Sequence, residues 1–374
     1  MAGTAARKLG TQIRAALVVS SSAASLPQPF ETIVGGHPTP TKESERAGRQ
    51  ALALAESVAA GDILLVLLSG GASALMAVPA DGLTLDDKRE ATKCLLSSGA
   101  DIHGLNTVRK HLSAIKGGRL AAATPGRCVA YAVSDVVGDH VSVIASGPTV
   151  PDPTTYANAV GVLRQYGGVH AYPSAVVAHL QRGIAGAIEE TPKLGDARLN
   201  RATTTVIGDR RDAMAGAAEE AVRLGYRSIV LEEPVTGEAR DVASSYLQRV
   251  LAAAGGSTRT CVISSGETTV KVRGRGKGGR NQEFALALAA HVLAIGHAVS
   301  VASVGTDGVD GPSDAAGAIV DSTTLVRARE EGLDEPQTFL NDNNAYAFFS
   351  ALGDLIRTGP TGTNVGDLQV ILIA

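Results

Sequence analysis

The sequence has no tryptophan, and aromatic residues make up 3% of its 374 positions. That leaves little material for stacking nucleic-acid bases. It also lacks an excess of either charge. The 34 Lys plus Arg against 37 Asp plus Glu give a net charge of -3, which argues against a general polyanion binder. The three cysteines, Cys94, Cys128 and Cys261, stand apart with no C-x-x-C pair, and the eight histidines show no paired spacing. A disulfide framework and a zinc site are therefore not expected, and the thiols read as reduced core residues of a cytoplasmic protein. Long apolar runs are missing too. Ile63–Leu68 is far short of the ~20 residues that cross a bilayer, and the N-terminus lacks the apolar core of a signal peptide. No Walker A motif occurs, and Ser69-Gly70-Gly71-Ala72-Ser73 does not fit G-x-G-x-x-G, which counts against a nicotinamide site.

What is present is apolar and glycine-rich: 44% hydrophobic residues, 19% charged residues and 43 glycines without a triplet period. Such a chain buries a sizeable core and is neither disordered nor collagenous. Its length suits two domains. Short Val/Ile/Leu runs alternate with Ala-rich helical patterns, the signature of β-α units. Strands are expected at Ile63–Leu68, Val129–Val133, Thr203–Ile207, Ser228–Leu231, Thr260–Ile263, Val299–Val304 and Leu368–Ile373, with an added one at Thr269–Arg273. Helices are expected at Lys42–Ala59, Leu85–Ser98, Arg211–Leu224, Asp241–Ala254, Arg280–Ile295 and Asn344–Ile356. Thr84 and Asp87 resemble a capping box. The polar segment Gly183–Asn200 places the division at 1–192 and 193–374.

Several strands end in turn-and-acid sequences: Ser69-Gly70-Gly71, Ser134-Asp135, Gly208-Asp209, Ser265-Gly266-Glu267 and Gly305-Thr306-Asp307-Gly308. In open α/β sheets, ligands bind beyond these strand ends. Glycine allows close backbone approach, exposed N–H groups hold phosphates, and acids hold a divalent cation or take a proton. The sharpest feature is Gly274-Arg275-Gly276-Lys277-Gly278-Gly279-Arg280-Asn281-Gln282-Glu283. It sets basic side chains among glycines just before an apolar helix, an arrangement suited to an anionic phosphate. A second cationic segment runs from Asn106 to Leu120. On a continuous helix Arg109, Ser113 and Lys116 would share a face, with Asn106 and Lys110 near it.

Together these segments resemble the glycerate 2-kinase family, the class II glycerate kinases whose C-terminal portion is called the MOFRL domain. The matching motifs are 67–75, 106–120, Ser134 through Asp139 with Ile144 through Thr149, 265–270, 278–283, 305–318 and Thr361 through Asn364. The resemblance implies an α/β fold of two Rossmann-like three-layer domains with mostly parallel sheets and an interdomain cleft. It implies phosphorylation of D-glycerate to 2-phosphoglycerate by ATP with Mg2+, by a monomer or homodimer without nucleic-acid or membrane partners. Some members carry the name hydroxypyruvate reductase.

The roles that follow are expectations. Arg280 would bridge phosphate oxygens or a carboxylate, and Lys116 and Arg119 would neutralise the transferring phosphoryl. Arg109 would hold the carboxylate, with Asn106, Ser69, Gly70 and Gly71 beside the substrate. Gly208, Asp209, Gly276, Gly278, Gly279, Asn281 and Thr306 would contact the nucleotide. Asp135, Glu267 and Asp307 would hold the metal, and either Asp135 or Asp307 would accept the hydroxyl proton. Three departures stand out. Family members begin with a strand and a Gly-x-Gly-Lys turn, whereas this sequence starts inside the helix that follows, as a truncated member would. A non-catalytic binding protein is therefore a further alternative. Ala72 and Ser265 each replace a usual glycine, and Gly208-Asp209-Arg210 replaces Gly-Ser/Asp-Asn.

Overall fold

A computed structural model describes residues 1–23, 25–256, 259–295 and 298–374. Contacts divide the chain into two compact units, Met1–Ala132 with Asp139–Ile207, and Val133–Gly138 with Gly208–Ala374. The expected division at 192/193 thus falls inside the first unit, because the segment after it returns as a strand of that unit's sheet.

The first unit carries β1 (Ala16–Ser20) and β2 (Phe30–Val34), paired in parallel with Ala16 opposite Phe30. It also carries β3 (Ile63–Leu68), β4 (Arg127–Val133) and β5 (Ala202–Gly208), in the order β3-β4-β5. β3 and β4 are parallel, with Ile63 opposite Arg127. Helices start where side chains satisfy their first N–H groups. Thr41 with Ser44 opens Lys42–Ser57, Thr84 with Asp87 opens Leu85–Ser97, and Thr155 with Asn158 opens Tyr156–Gln165. Leu95, Leu105, Val108, Tyr156, Leu163 and Leu180 form a buried helical core.

The second unit holds β6 (Arg227–Val230), β7 (Val235–Glu238), β8 (Thr260–Thr269), β9 (Val299–Gly305), β10 (Gly317–Asp321), β11 (Leu355–Ile356) and β12 (Asp367–Ile373). Their order is β11-β10-β9-β12-β8-β6, with β7 also on β8. Parallel pairing is confined to β6 and β7 beside β8; the β8–β12, β12–β9, β9–β10 and β10–β11 pairs are antiparallel. The last strand enters between β8 and β9 and runs against both, so no crossover helix is needed there. Phe284, Leu288, Val301, Phe348 and Ile371 pack on one face. Met214 and Ala221 of Arg210–Arg223 join Cys261 and Ile263 in a separate cluster, with Leu368 and Val370 packed against it. Neighbours on β8 and β12 thus fall in different clusters, and the sheet is covered on both faces.

Three expected elements differ. Residues 270–279 are a loop, because β8 already runs through Thr269. The helix expected to Ile356 stops at Leu352, and Leu355–Ile356 pairs with β10 instead. The basic helix stops at His111. Beyond it Ala80 and Ala114 donate to the carbonyls of Leu112 and Val78, so residues 112–114 cross 78–80 as a short bridge. Arg109, Ser113 and Lys116 therefore do not share a helix face. No described helix is long and apolar enough to cross a membrane.

Candidate active site

In the second unit the helix Arg280–Leu293 is the organising element, with most of its residues buried. Its second and third N–H groups, from Asn281 and Gln282, donate to the Asp310 carboxylate at 3.0 and 2.9 Å. An acid from a distant loop thus supplies the cap that glycine at position 279 cannot. Gly279 has an extended backbone that any residue can adopt, but a Cβ there would lie 2.3 Å from the Asp310 carboxyl carbon. Close approach, rather than dihedral freedom, requires glycine.

Arg280 is the first residue of that helix. Its Nε donates to Asp367 Oδ1 at 3.0 Å and its Nη1 to Glu267 Oε1 at 3.0 Å, while no described residue accepts from Nη2. Asp367, at the start of β12, is fully buried and also accepts from Asn281 Nδ2 at 2.9 Å. Burial pushes its carboxyl up to about 6, against the pull of Arg280 and Asn281. Asn281 is spent inside the protein: besides its bonds to Asp310 and Asp367, its Oδ1 accepts from Ser303 at 2.7 Å. It sets the position of the acids rather than presenting a free group.

Asp135 lies just beyond β4 and accepts from Asn364 Nδ2 at 3.2 Å. Burial, then the nearby Glu267 and, to a smaller extent, Asp307, push its carboxyl up to about 6. Glu267 and Asp307, the other two acids expected to hold a metal, thus lie near enough to act on Asp135, an effect that a divalent cation would relieve. Among the described residues no three His, Cys, Asp or Glu side chains converge as a complete ligand set. Magnesium is ordinarily held by one or two carboxylates plus water and phosphate oxygens, so the acids fit that ion. Thr306 is fixed by the loop before β12: its N–H and hydroxyl both donate to Gly366 O, and its hydroxyl accepts from Val365 N.

The glycine-rich loop is held from within. The N–H groups of Arg273 and Gly274 donate to Asn343 Oδ1, that of Gly276 to Asp342 O, and that of Lys277 to Asn344 Oδ1. Of the expected phosphate cradle, the N–H groups of Gly278 and Gly279 are left without an acceptor among the described residues. Gly208 and Asp209 sit at another helix start, where Asp209 caps Arg210–Arg223. Arg210 Nη1 donates to Ser265 Oγ at 3.1 Å, so two of the departures from the family pattern contact each other.

In the first unit, Gly71 has a positive φ of 79° and caps the short helix Ala72–Leu75 after Ser69 and Gly70. Ser73 of that helix joins the rest. Its hydroxyl pairs with Ser146 Oγ at 2.8 Å, and Ser146 donates to Asn106 Oδ1 at 2.9 Å. Lys116 Nζ donates to Ser73 O at 2.8 Å and Ser73 Oγ at 3.1 Å, with Ala145 O and Met76 O at 3.4 and 3.5 Å. Ala145, Ser146 and Gly147 all have φ between 53° and 61°. Such strain in consecutive residues collects at functional sites. Arg119 does not join Lys116; its Nη2 is directed at Tyr156 and Glu189 O. Lys88, whose Nζ donates to Leu112 O at 2.8 Å, belongs to no motif, and the one signal for it is its helical spacing with Leu85, Ala91 and Leu95 on the buried face.

A separate buried network holds this unit's helices. His111 is fully buried, with Nδ1 2.7 Å from Thr107 O and Nε2 2.9 Å from Glu190 Oε1, while Lys110 pairs with Asp152 at 3.2 Å. Burial raises the Glu190 carboxyl, but His111 and the N–H groups of Tyr156 and Thr191 outweigh it and bring it down to about 2 from an ordinary 4.5. Its contribution to stability is complete above pH 4.5 and is lost as pH falls towards 2. In Glu190→Gln, the urea midpoint is expected to fall at pH 7, and its decline between pH 4.5 and 2 to become shallower. An unchanged decline would show that Glu190 is not the group responsible.

A family model described as Domain of unknown function (DUF4147) matches residues 1–181, and the MOFRL family matches residues 260–367. Glycerate 2-kinase of Pyrococcus horikoshii is 38% identical over 92% of this chain and 78% of its own length. A protein of Agrobacterium vitis named as a hydroxypyruvate reductase is 40% identical over 92% of this chain and 77% of its own. The crystal structure of glycerate kinase (EC 2.7.1.31) from Thermotoga maritima superposes with a TM-score of 0.87 at 37% identity, covering all of this chain and 88% of that one. With these matches spanning both units, the chain belongs to the glycerate 2-kinase family with a C-terminal MOFRL region.

Proposed function

We propose that this chain transfers the γ-phosphoryl group of ATP to the 2-hydroxyl of D-glycerate. The observation that carries this reading is the Arg280 guanidinium. It is braced by Asp367 and Glu267 at 3.0 Å each, yet keeps Nη2 without a partner among the described residues. Phosphoryl transfer is mainly positioning and charge stabilisation, and a fixed guanidinium with a free edge does both. The N–H groups of Gly278 and Gly279 would add donors for phosphate oxygens. Glu267 and Asp307 would hold magnesium, which supplies charge neutralisation on the nucleotide when bound. Asp135, with its carboxyl pushed up to about 6, would accept the proton of the 2-hydroxyl. In the first unit Arg109 would receive the glycerate carboxylate, with Asn106 and Ser146 fixing the wall beside it. Lys116 would act by holding the turn at Ala145 and the helix at Ser73 in place, because the carbonyls around it take its donors. The protein would work in the cytoplasm as a monomer or homodimer on these two small anions.

The test is ADP release from MgATP by this chain, with and without D-glycerate, and 31P spectra of the product. Release that depends on glycerate and gives 2-phosphoglycerate is expected. A folded sample that releases no ADP would leave a binding protein. The reductase name of one relative supports a second reading, which predicts NAD(P)H oxidation with hydroxypyruvate. The loop after β3, lacking the dinucleotide fingerprint, weighs against it.

A further inference from the structure

The first unit contains a group of basic side chains with no acid to balance it. Lys88 is 7% exposed and Lys116 3% exposed; burial, then the neighbouring charge of Arg109, lowers Lys88 to about 7, and burial, Lys88 and Arg109 together lower Lys116 well below the ordinary lysine range. Buried cations are ordinarily paired. Elsewhere in the same unit that rule is kept: Lys110 faces Asp152. Among the described residues no carboxylate pairs with Lys88, Arg109 or Lys116.

The three cations are not equivalent. Lys116 donates to a ring of carbonyls and one hydroxyl, so its three protons are taken. Lys88 donates to one carbonyl, Leu112 O, and the rest of its amine is open, so a carboxylate placed there restores its charge. Arg109 has no acceptor among the described residues, so its whole fork is available. The two open groups come from different helices, Leu85–Ser97 and Ile102–His111, tied together where Lys88 reaches the carbonyl that follows the second. The strained turn Ala145-Ser146-Gly147 supplies a further wall, held in place by Lys116 through Ala145 O.

We propose that Lys88 and Arg109 together form a carboxylate-binding subsite for a small 2-hydroxy acid, with Lys116 holding the wall behind it in place. This rests on the glycerate reading above and deepens it, because it adds Lys88 as a group that touches substrate. A planar fork and a point charge from two directions fit one carboxylate. Burial then makes selectivity strong, since an uncharged analogue leaves both cations unpaired.

The experiment is calorimetric titration of the full chain with D-glycerate and with D-glyceramide, in which an amide replaces the carboxylate. Three proteins are compared: the parent, Lys88→Met and Lys88→Arg. The parent is expected to bind glycerate at least ~30-fold more tightly than glyceramide. Lys88→Met is expected to lose ~10–100-fold in glycerate affinity with glyceramide unchanged, and Lys88→Arg to restore most of it. A folded Lys88→Met that binds glycerate like the parent would overturn the proposal and leave the kinase reading standing. A parent that binds neither compound would overturn both. If Lys88→Met does not fold, the parent carrying 13Cε-lysine decides. Glycerate, but not glyceramide, is expected to shift the resonance assigned to Lys88 by its disappearance in Lys88→Arg, and no shift would refute the subsite.

Discussion

Arg280→Ala is expected to lower kcat for glycerate phosphorylation by ~10^3-fold or more while the protein stays folded. A donor fixed on a developing charge is worth ~10^2–10^3, and an arginine on a transferring phosphoryl ~10^3–10^5. The fold should survive because the partner left behind can adapt. Asp367 is buried and its carboxyl already stands at about 6. Without the guanidinium it takes up a proton and keeps Asn281 Nδ2 at 2.9 Å, so the loss of stability should be ~1–3 kcal/mol. Arg280→Lys should recover little of the rate. An ammonium is a point charge and cannot reach Asp367, Glu267 and a phosphate oxygen at once. Steady-state ADP release together with thermal unfolding checks both statements. A folded Arg280→Ala that turns over within about tenfold of the parent would remove Arg280 from the mechanism.

The second large effect is expected at a residue that touches no substrate. Asp310→Ala should lower the unfolding free energy by ~2–5 kcal/mol and depress kcat as well. The Asn281 and Gln282 N–H groups lose acceptors at 3.0 and 2.9 Å in a buried place, and each unsatisfied donor costs ~1–3 kcal/mol. Arg280 precedes those two residues directly, so loosening the first helical turn loosens the guanidinium. Asp310→Asn keeps the shape and part of the acceptor capacity, and should fall between the two. Urea unfolding followed by circular dichroism, with kinetics on the same samples, separates the effects. Parent-like stability in Asp310→Ala would mean that water replaces the carboxylate.

The legible parts of the fold were those with local signals. β3 was found at its full length because Ile63–Leu68 is uninterrupted, and Leu85–Ser97 because Thr84 and Asp87 announce it. β1, β2, β7, β10 and β11 were not found. They are two to five residues long, and only their pairing with distant strands makes them strands. In the site, Arg280 and Glu267 stood out as charges beside glycines, and Asp135 as an acid just after a strand. Asp367 and Lys88 did not, because burial, not residue type, gives each its role.

The sequence by itself determined the α/β class, the main helices, the family and the loops where charged groups gather, since composition, capping and motif order are local properties. The tertiary structure alone decided which of those groups are free. It spent the Asn281 amide and much of the glycine-rich loop on internal bonds, gave the helix start to Asp310, enclosed Lys116 in carbonyls, and left Arg109, Lys88 and one edge of Arg280 open. The reason is physical. A hydrogen-bonding group can act on a ligand only if the fold has not already satisfied it, and its partners here lie up to 229 residues away along the chain.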